Sequence, residues 1–244
     1  MLQTLRAILI ADPLIVLATV VMGAISWVAS LRDRTGRLPH QVARLWARIL
    51  LFVSGVQVRV EGLDRIQPDG GYVFAANHLS LMDTPLVIAY IPAQFRFLAK
   101  RSLFRVPFIG GHLKRAGHIR VDREDPRSAV KVMGVAAELI RKDGISILVF
   151  PEGSRSEDGK LQEFKEGAAY LAIKAGVPVV PVAISGTHAV LPPGSVLVRS
   201  GKATLRIGHP IPTGSLQLSD RALLTRRIRE EVAALLPEAD SVVR

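Results

Sequence analysis

Residues 7–31 form an apolar run in which Asp12 is the only ionisable side chain. A helix of this length extends about 37 Å, which is enough to cross a bilayer core with tilt. A break at Asp12-Pro13 would leave about 18 apolar residues, the lower limit for a full span. We therefore expect a membrane-associated helix, which either crosses the bilayer or enters it as a half-inserted hairpin.

A cleaved signal peptide is the alternative interpretation of this run. Signal peptides have a shorter apolar region followed by a small-x-small cleavage site, whereas this run continues into an Arg-rich segment. Residues 32–48 contain five Arg and one Asp. Basic residues that flank an apolar segment stay on the cytoplasmic side, so the chain that follows is predicted to face the cytoplasm.

The next segment predicts an amphipathic helix, because apolar residues recur there at helical spacing, opposite Arg44 and Arg48. These apolar residues are Val42, Leu45, Trp46, Ile49, Leu50 and Val53. Two placements stay open: the helix lies in the lipid headgroup layer, or it packs on the domain core. We assign residues 1–55 to membrane-associating helices and residues 56–244 to a separate folded domain.

Short apolar segments alternate with helical patterns after residue 55. The predicted strands are 56–60, 72–76, 96–99, 118–121, 145–150, 179–184, 196–198 and 203–207. The helical patterns begin at Asp125-Pro126, near Phe164 and at Ser219. This alternation predicts an α/β domain, with a central mixed and largely parallel sheet flanked by helices.

Composition excludes several kinds of chemistry and points to an anionic partner. The chain has no Cys, which excludes a disulfide framework, a thiolate nucleophile and Cys-ligated zinc. The formal net charge is +11, of which +5 lies in residues 1–60 and +6 in residues 61–244. A nucleic-acid partner is disfavoured, since aromatic residues make up only 5% and no binding motif is present.

A polar cluster follows the predicted strand 72–76. The strand ends in Asn77-His78, and Asp83 stands where the next helix is predicted to begin. Sites of α/β folds lie at the carboxyl ends of strands. Asp83 is placed to cap that helix while its carboxylate reaches back to His78. A carboxylate on one imidazole nitrogen fixes the tautomer and makes the other nitrogen a better base. A structural cap with an incidental histidine is the alternative.

A second cluster follows the predicted strand 145–150, in the turn Pro151-Glu152-Gly153-Ser154-Arg155. Gly153 permits close backbone approach, and Arg155 offers a planar fork that suits phosphate. Two more cations, Lys100 and Arg123, also follow predicted strands. No G-x-S-x-G or H-E-x-x-H pattern occurs, so we predict direct attack by a substrate hydroxyl on an activated carbonyl, without an acyl-enzyme or a metal.

Five blocks in order resemble the glycerolipid acyltransferases, specifically the 1-acylglycerol-3-phosphate (lysophosphatidic acid) acyltransferases. Residues 77–83 have the N-H-x-x-x-x-D pattern, and residues 152–156 (EGSRS) resemble E-G-T-R-S. Residues 100–110, 117–123 (GHIRVDR) and 177–182 resemble the other blocks. The departures are Ser154 where Thr is usual and Arg120 at a commonly apolar or aromatic position.

The resemblance implies roles for these residues. His78 would be the general base and Asp83 the residue that orients it. Arg155, Lys100 and Arg123 would hold the phosphate of lysophosphatidic acid, while Glu152, Gly153 and Ser154 would shape the substrate site. The acyl donor would be acyl-CoA or acyl carrier protein, with no cofactor and no metal, and the product would be phosphatidic acid.

Other functions remain open at this point. The alternative acceptors are another lysophospholipid, an aminolipid or glycerol 3-phosphate, because the motifs concern the shared chemistry and not acceptor choice. A non-catalytic membrane-surface adaptor that binds anionic lipid through residues 32–48 is an alternative of another class. A thioester hydrolase that uses the same histidine with water is a further one.

Overall fold

The computed structural model describes residues 2–33, 35–122 and 126–237. Its strands are β1 (Val56–Glu61), β2 (Val73–Ala76), β3 (Phe95–Lys100), β4 (Ile119–Val121), β5 (Ser146–Val149), β6 (Val179–Ser185) and β7 (Gly201–Ile207). Its α-helices are α1 (Leu2–Arg6), α2 (Asp12–Arg32), α3 (Arg37–Ser54), α4 (Asp83–Tyr90), α5 (Ile109–Arg115), α6 (Pro126–Asp143), α7 (Gly167–Ala175), α8 (Thr187–Val190) and α9 (Arg221–Leu235).

The described strands form one seven-stranded sheet in the order β1-β7-β6-β2-β5-β3-β4. The pairs β1–β7, β6–β2, β2–β5, β5–β3 and β3–β4 are parallel, and β6–β7 is antiparallel. Strands β2, β5 and β6 are buried along their whole length, as expected for strands covered on both faces. The predicted mixed, largely parallel α/β fold is confirmed.

Alternate residues of β2 enter two separate cores, one on each face of the sheet. Phe74 and Ala76 pack with residues of α3 and α4, whereas Val73 and Ala75 pack with residues of α6, α7 and α9. The domain therefore has three layers, and β2 lies at the centre of the middle one. This places the residue after β2 at the centre of the sheet's carboxyl edge.

The N-terminal apolar run forms one continuous helix. A π-helical segment (Ala7–Ala11) joins α1 to α2, so Asp12-Pro13 introduces a π-helical irregularity without ending the helix. Within the described residues Gln3–Arg32 is the one helix long and apolar enough to cross a membrane, and little of its surface is buried. The prediction of an extended apolar N-terminal helix is confirmed.

Helix α3 packs on the domain core, which is one of its two predicted placements. Its buried stripe contains Leu50, as the helical spacing predicted, together with the small residues Ala43 and Ala47, which the spacing did not single out. Leu45, one of those expected residues, is exposed. Arg44, expected on a solvated face, donates to the carbonyl oxygens of Ile91 and Pro92. The small side chains of Ala43 and Ala47 let α3 pack closely against α4.

Other differences concern element bounds. Residues 196–198 form no strand: Val198 is buried, but the backbone N–H of Arg199 donates to Val190 in a loop. The helix expected from Phe164 begins at Gly167, and Ser219 lies inside a 3₁₀ turn before α9. Asp125, the expected cap of α6, lies outside the described residues. The domain boundary at residue 55 stays a prediction.

Candidate active site

The parallel strands bring the predicted site segments to one edge of the sheet. Strands β2, β5, β3 and β6 point the same way, so their carboxyl ends meet at that edge. His78 follows β2, the turn 151–155 follows β5, Lys100 ends β3 and Thr187 follows β6. The Asn77 side chain fixes the end of β2, because it accepts from the N–H of Ile184 and donates to the carbonyl oxygen of the same residue.

His78 and Asp83 form the polar centre of this edge. His78 Nδ1 lies 2.7 Å from Asp83 Oδ2, as the spacing predicted. A carboxylate accepts hydrogen bonds, so Nδ1 carries the proton and Nε2 presents a lone pair. Nothing among the described residues bonds to Nε2. The His78 side chain is 13% exposed, so part of it faces solvent.

The Asp83 carboxylate is fully buried and accepts four hydrogen bonds. Besides His78, the N–H groups of Leu79 and Ser80 donate to Oδ2 at 2.6 and 2.8 Å. Thr187 Oγ1 donates to Oδ1 at 2.5 Å. Asp83 is the first residue of α4, and no side chain caps that helix. The expectation that Asp83 caps α4 was therefore wrong: its carboxylate organises the turn that precedes the helix.

Thr187 reaches Asp83 because of the glycine before it. Gly186 has a φ of +83°, and a Cβ there would collide with the carbonyl oxygen of Lys202. This conformation turns the chain sharply after β6 and directs the Thr187 side chain inward, where it is 1% exposed. A glycine is needed at this position, so the sequence Ser-Gly-Thr after a buried strand is part of the site.

The backbone of His78 is held by the turn that follows β5. The N–H of His78 donates to Glu152 Oε1 at 2.9 Å, and its carbonyl oxygen accepts from the N–H of Ser156 at 2.8 Å. Burial raises the pKa of Glu152 to about 8, the Asp83 charge adding to the effect. This shift favours the neutral form of Glu152. A direct contact between substrate and Glu152 stays a prediction, since the side chain is buried.

Phe150, the last residue before the turn, lies flat against His78. The ring centroids are 4.0 Å apart and the planes differ by 15°. Phe97 of β3 stacks behind Phe150 at 6.3 Å. This stack and the bond to Asp83 together leave the imidazole one orientation, which is the preorganisation that a general base needs.

The turn 151–155 presents cations beside His78. Gly153 has a φ of +81°, and a Cβ there would lie 2.8 Å from Lys165 Nζ. Ser154 is exposed and Arg155 is half-buried. Among the described residues the Arg155 guanidinium has neither an ion pair nor a hydrogen bond. Two cations, Arg155 and Lys165, are thus available to an anionic ligand at this turn.

Lys100 is exposed at the end of β3, which pairs with β5 on the side away from β2. Its position on the same edge is as predicted, but no contact joins it to His78. Arg123 lies outside the described residues, so its predicted contribution to phosphate binding stays a prediction. Within the described ranges no group of three or more His, Asp or Glu side chains could hold a metal ion.

Comparison with known proteins assigns the chain to a family. A model of the acyltransferase family matches residues 57–185. The chain belongs to the acyltransferase family. Its fold resembles the crystal structure of the 1-acyl-sn-glycerophosphate (LPA) acyltransferase PlsC from Thermotoga maritima, with a TM-score of 0.82 and 29% identity over 100% of this chain and 97% of the other.

Curated relatives of this chain are also named as 1-acyl-sn-glycerol-3-phosphate acyltransferases. A chloroplastic 1-acyl-sn-glycerol-3-phosphate acyltransferase of Arabidopsis thaliana is 36% identical over 70% of this chain and 48% of its own length. The alpha form of Bos taurus is 30% identical over 81% of this chain and 69% of its own. The chain spans about half the length of the plastid relatives that it matches.

Sequence reasoning missed three residues of the acyltransferase site: Thr187, Phe150 and Lys165. Phe150 was assigned to a strand, and its contact with His78 depends on strand order. Lys165 lies just before α7, whose predicted start was misplaced by three residues. Only Thr187 had a local signal, the Gly-Thr pair at the end of a buried strand, which had been left unassigned.

Proposed function

We propose that the protein transfers an acyl chain to the free glycerol hydroxyl of lysophosphatidic acid and so makes phosphatidic acid. The observation that carries the proposal is the His78–Asp83 pair at 2.7 Å, with its unbonded Nε2 at the centre of the sheet edge. The relatives described above are named as 1-acylglycerol-3-phosphate acyltransferases, which supports the same reaction.

The reaction takes one step at the donor carbonyl. His78 Nε2 removes the proton of the acceptor hydroxyl as its oxygen attacks the thioester carbonyl of acyl-CoA or acyl carrier protein. The new C–O bond forms, the C–S bond breaks, and the imidazolium returns the proton to the leaving thiolate. Asp83 stabilises that imidazolium, since a buried carboxylate interacts strongly with a charge at hydrogen-bond distance.

The acceptor phosphate binds the cations of the carboxyl edge. Lys165 lies against Gly153, Arg155 follows in the same turn, and the sequence places Lys100 and Arg123 after the neighbouring strands. A guanidinium fork matches two phosphate oxygens, so Arg155 is the main phosphate ligand in this proposal.

The membrane supplies the acceptor and takes up the product, because both are lipids. The exposed apolar helix Gln3–Arg32 supports membrane association, and the Arg-rich residues 32–48 support a catalytic domain on the cytoplasmic side. A bilayer-bound enzyme that meets a water-soluble donor on that side fits both features.

The phosphate role is tested by Arg155→Gln. We expect the KM for lysophosphatidic acid to rise about 10- to 100-fold, because charge-assisted hydrogen bonds to one phosphate are lost. Activity on an uncharged monoacylglycerol should change little. Acyl transfer is measured with both acceptors beside wild type, with Arg226→Gln on exposed α9 as the matched control. A wild-type preference for the uncharged acceptor would contradict the proposal.

Thr187 is expected to act as a positioning residue through Asp83. Thr187→Val keeps the side-chain shape but removes the donor to Oδ1, so we expect kcat to fall about tenfold with KM unchanged. Thr187→Ser should restore most of the rate. Thr225→Val is the control, since it removes another buried hydroxyl that bonds only within α9. Equal loss in both valine variants would indicate a fold defect.

A further inference from the structure

The segment 101–108, which follows β3, exposes apolar side chains beside the active-site edge. Leu103, Val106 and Phe108 are 41%, 39% and 48% exposed. Phe108 has a φ of +62° and is the only non-glycine residue with a positive φ in the part of the chain that the structure describes. A bulky residue held in this costly conformation is a pointer to function at the site where it occurs.

The backbone of loop 101–108 is fixed by its own hydrogen bonds. The N–H of Val106 donates to Leu103, the N–H of Gly110 to Val106, and the N–H of His112 to Phe108. Residues 101–105 form a 3₁₀ turn, and α5 begins at Ile109. The apolar side chains are therefore held outward by an ordered backbone.

The surface around this loop is basic. Between Asp83 and Asp122 the sequence contains no acidic residue. It contains seven basic residues in this stretch: Arg96, Lys100, Arg101, Arg105, Lys114, Arg115 and Arg120. All of them except Arg96 are exposed. Exposed apolar side chains that alternate with cationic ones suit a binding partner with an apolar interior and an anionic boundary.

The loop is continuous with the exposed apolar surface of α2. A Cβ at Gly23 would lie 2.9 Å from the Cβ of Phe108, so glycine there permits the contact. Ser26 bonds to His112 of α5 at 2.7 Å, and the Arg115 guanidinium lies 5.3 Å from the Trp27 ring centroid. The apolar N-terminal helix and loop 101–108 thus form one surface.

We propose that loop 101–108 is a second membrane contact, which inserts Leu103, Val106 and Phe108 into the interface of an anionic phospholipid bilayer. The inference rests on the proposed function and extends it: the loop sets the depth at which the carboxyl edge meets a bilayer-embedded acceptor. Continuity with the exposed helix Gln3–Arg32 favours a bilayer over a protein partner, because one occupant must cover both apolar surfaces.

Insertion is tested without an activity assay, using the absence of cysteine from the chain. Full-length Phe108→Cys and Leu223→Cys are labelled with an environment-sensitive fluorophore and reconstituted in phosphatidylglycerol vesicles that carry spin-labelled lipid. Leu223 is the matched control, because it is 60% exposed on α9, across the sheet from α3. We expect strong quenching at position 108 and little at 223.

Two results would overturn the proposal. Equal, weak quenching at both positions would place the loop in water. A blue-shifted but unquenched label at position 108 would show that protein, such as a second copy, covers it. Neither result depends on which acceptor the enzyme uses, so this test and that of the proposed function fail separately.

Phe108→Gly tests the consequence for turnover. Glycine adopts a φ of +62° without strain, so the loop should keep its shape while losing the apolar side chain. We expect kcat/KM to fall about tenfold with lysophosphatidic acid in anionic vesicles and to stay near wild type with a short-chain, monomeric acceptor. An unchanged rate on vesicles, or equal losses on both acceptors, would contradict the proposal. Wild type inactive on both would refute the proposed function instead.

Discussion

Replacement of His78 by alanine should abolish nearly all acyl transfer. The variant loses the general base at the centre of the carboxyl edge. Among the described residues at this edge, only His78 has a carboxylate that orients its ring and a ring nitrogen without a hydrogen bond. General-base catalysis contributes about 10² to 10⁴ in rate, so we expect kcat to fall about 10³-fold. The KM for lysophosphatidic acid should change little, because the phosphate cations stay in place. Steady-state rates with a fixed acyl donor measure both quantities.

The control for this variant is His209→Ala, which removes an exposed histidine of the same chain. Its activity should match wild type. Thermal unfolding should show that His78→Ala is folded, since Asp83 keeps three of its four donors. Substantial acyl transfer by a folded His78→Ala protein would refute the mechanism, because no other described group is placed to remove the hydroxyl proton.

The sequence predicted those parts of the site that depend on local spacing. A His and an Asp five residues apart, between a buried strand and a helix, are joined by one turn, and the predicted contact is present. The turn after β5 was predicted to form a polar cluster because it follows a buried strand, and the family resemblance of residues 152–156 implied that it shares a site with His78.

Contacts between segments that are distant along the chain could not be predicted from the sequence. Thr187 bonds to Asp83 across 104 residues, and Phe150 reaches His78 only because β5 pairs with β2. Strand order within the sheet decides both contacts, and hydropathy does not encode it. Glu152 was predicted to shape the substrate site, but its bond to the backbone of His78 was not foreseen, because a glutamate in a turn sequence does not suggest burial.

Helix α3 shows a different limit of sequence patterns. The large apolar residues gave a clear helical period, and Leu50 is buried as predicted, but the buried stripe also contains Ala43 and Ala47. Hydropathy ranks a leucine above an alanine, whereas close packing of two helices favours the smaller side chain. The exposed Leu45 and Phe52 are therefore left on the outer side of α3.

Asp83→Asn tests whether the charge of Asp83, and not only its shape, is needed. The amide oxygen can still accept from His78 and the backbone N–H groups, while its NH₂ group can donate to Thr187 Oγ1. The fold should therefore survive. The negative charge that stabilises the imidazolium is lost, so we expect kcat to fall about 10³- to 10⁴-fold, as when other His-Asp pairs lose their charge.

The size of the rate loss separates this electrostatic role from a positional one. If Asp83 only held the turn, asparagine would cost little, because its amide keeps the same hydrogen-bond partners. Alanine at position 83 would instead leave buried donors unpaired and destabilise the fold, which makes asparagine the sharper variant. If Asp83→Asn lost only a few-fold in rate, Asp83 would serve to hold the turn. Stabilisation of the charge that develops when the hydroxyl loses its proton would then have to come from the cations around Arg155.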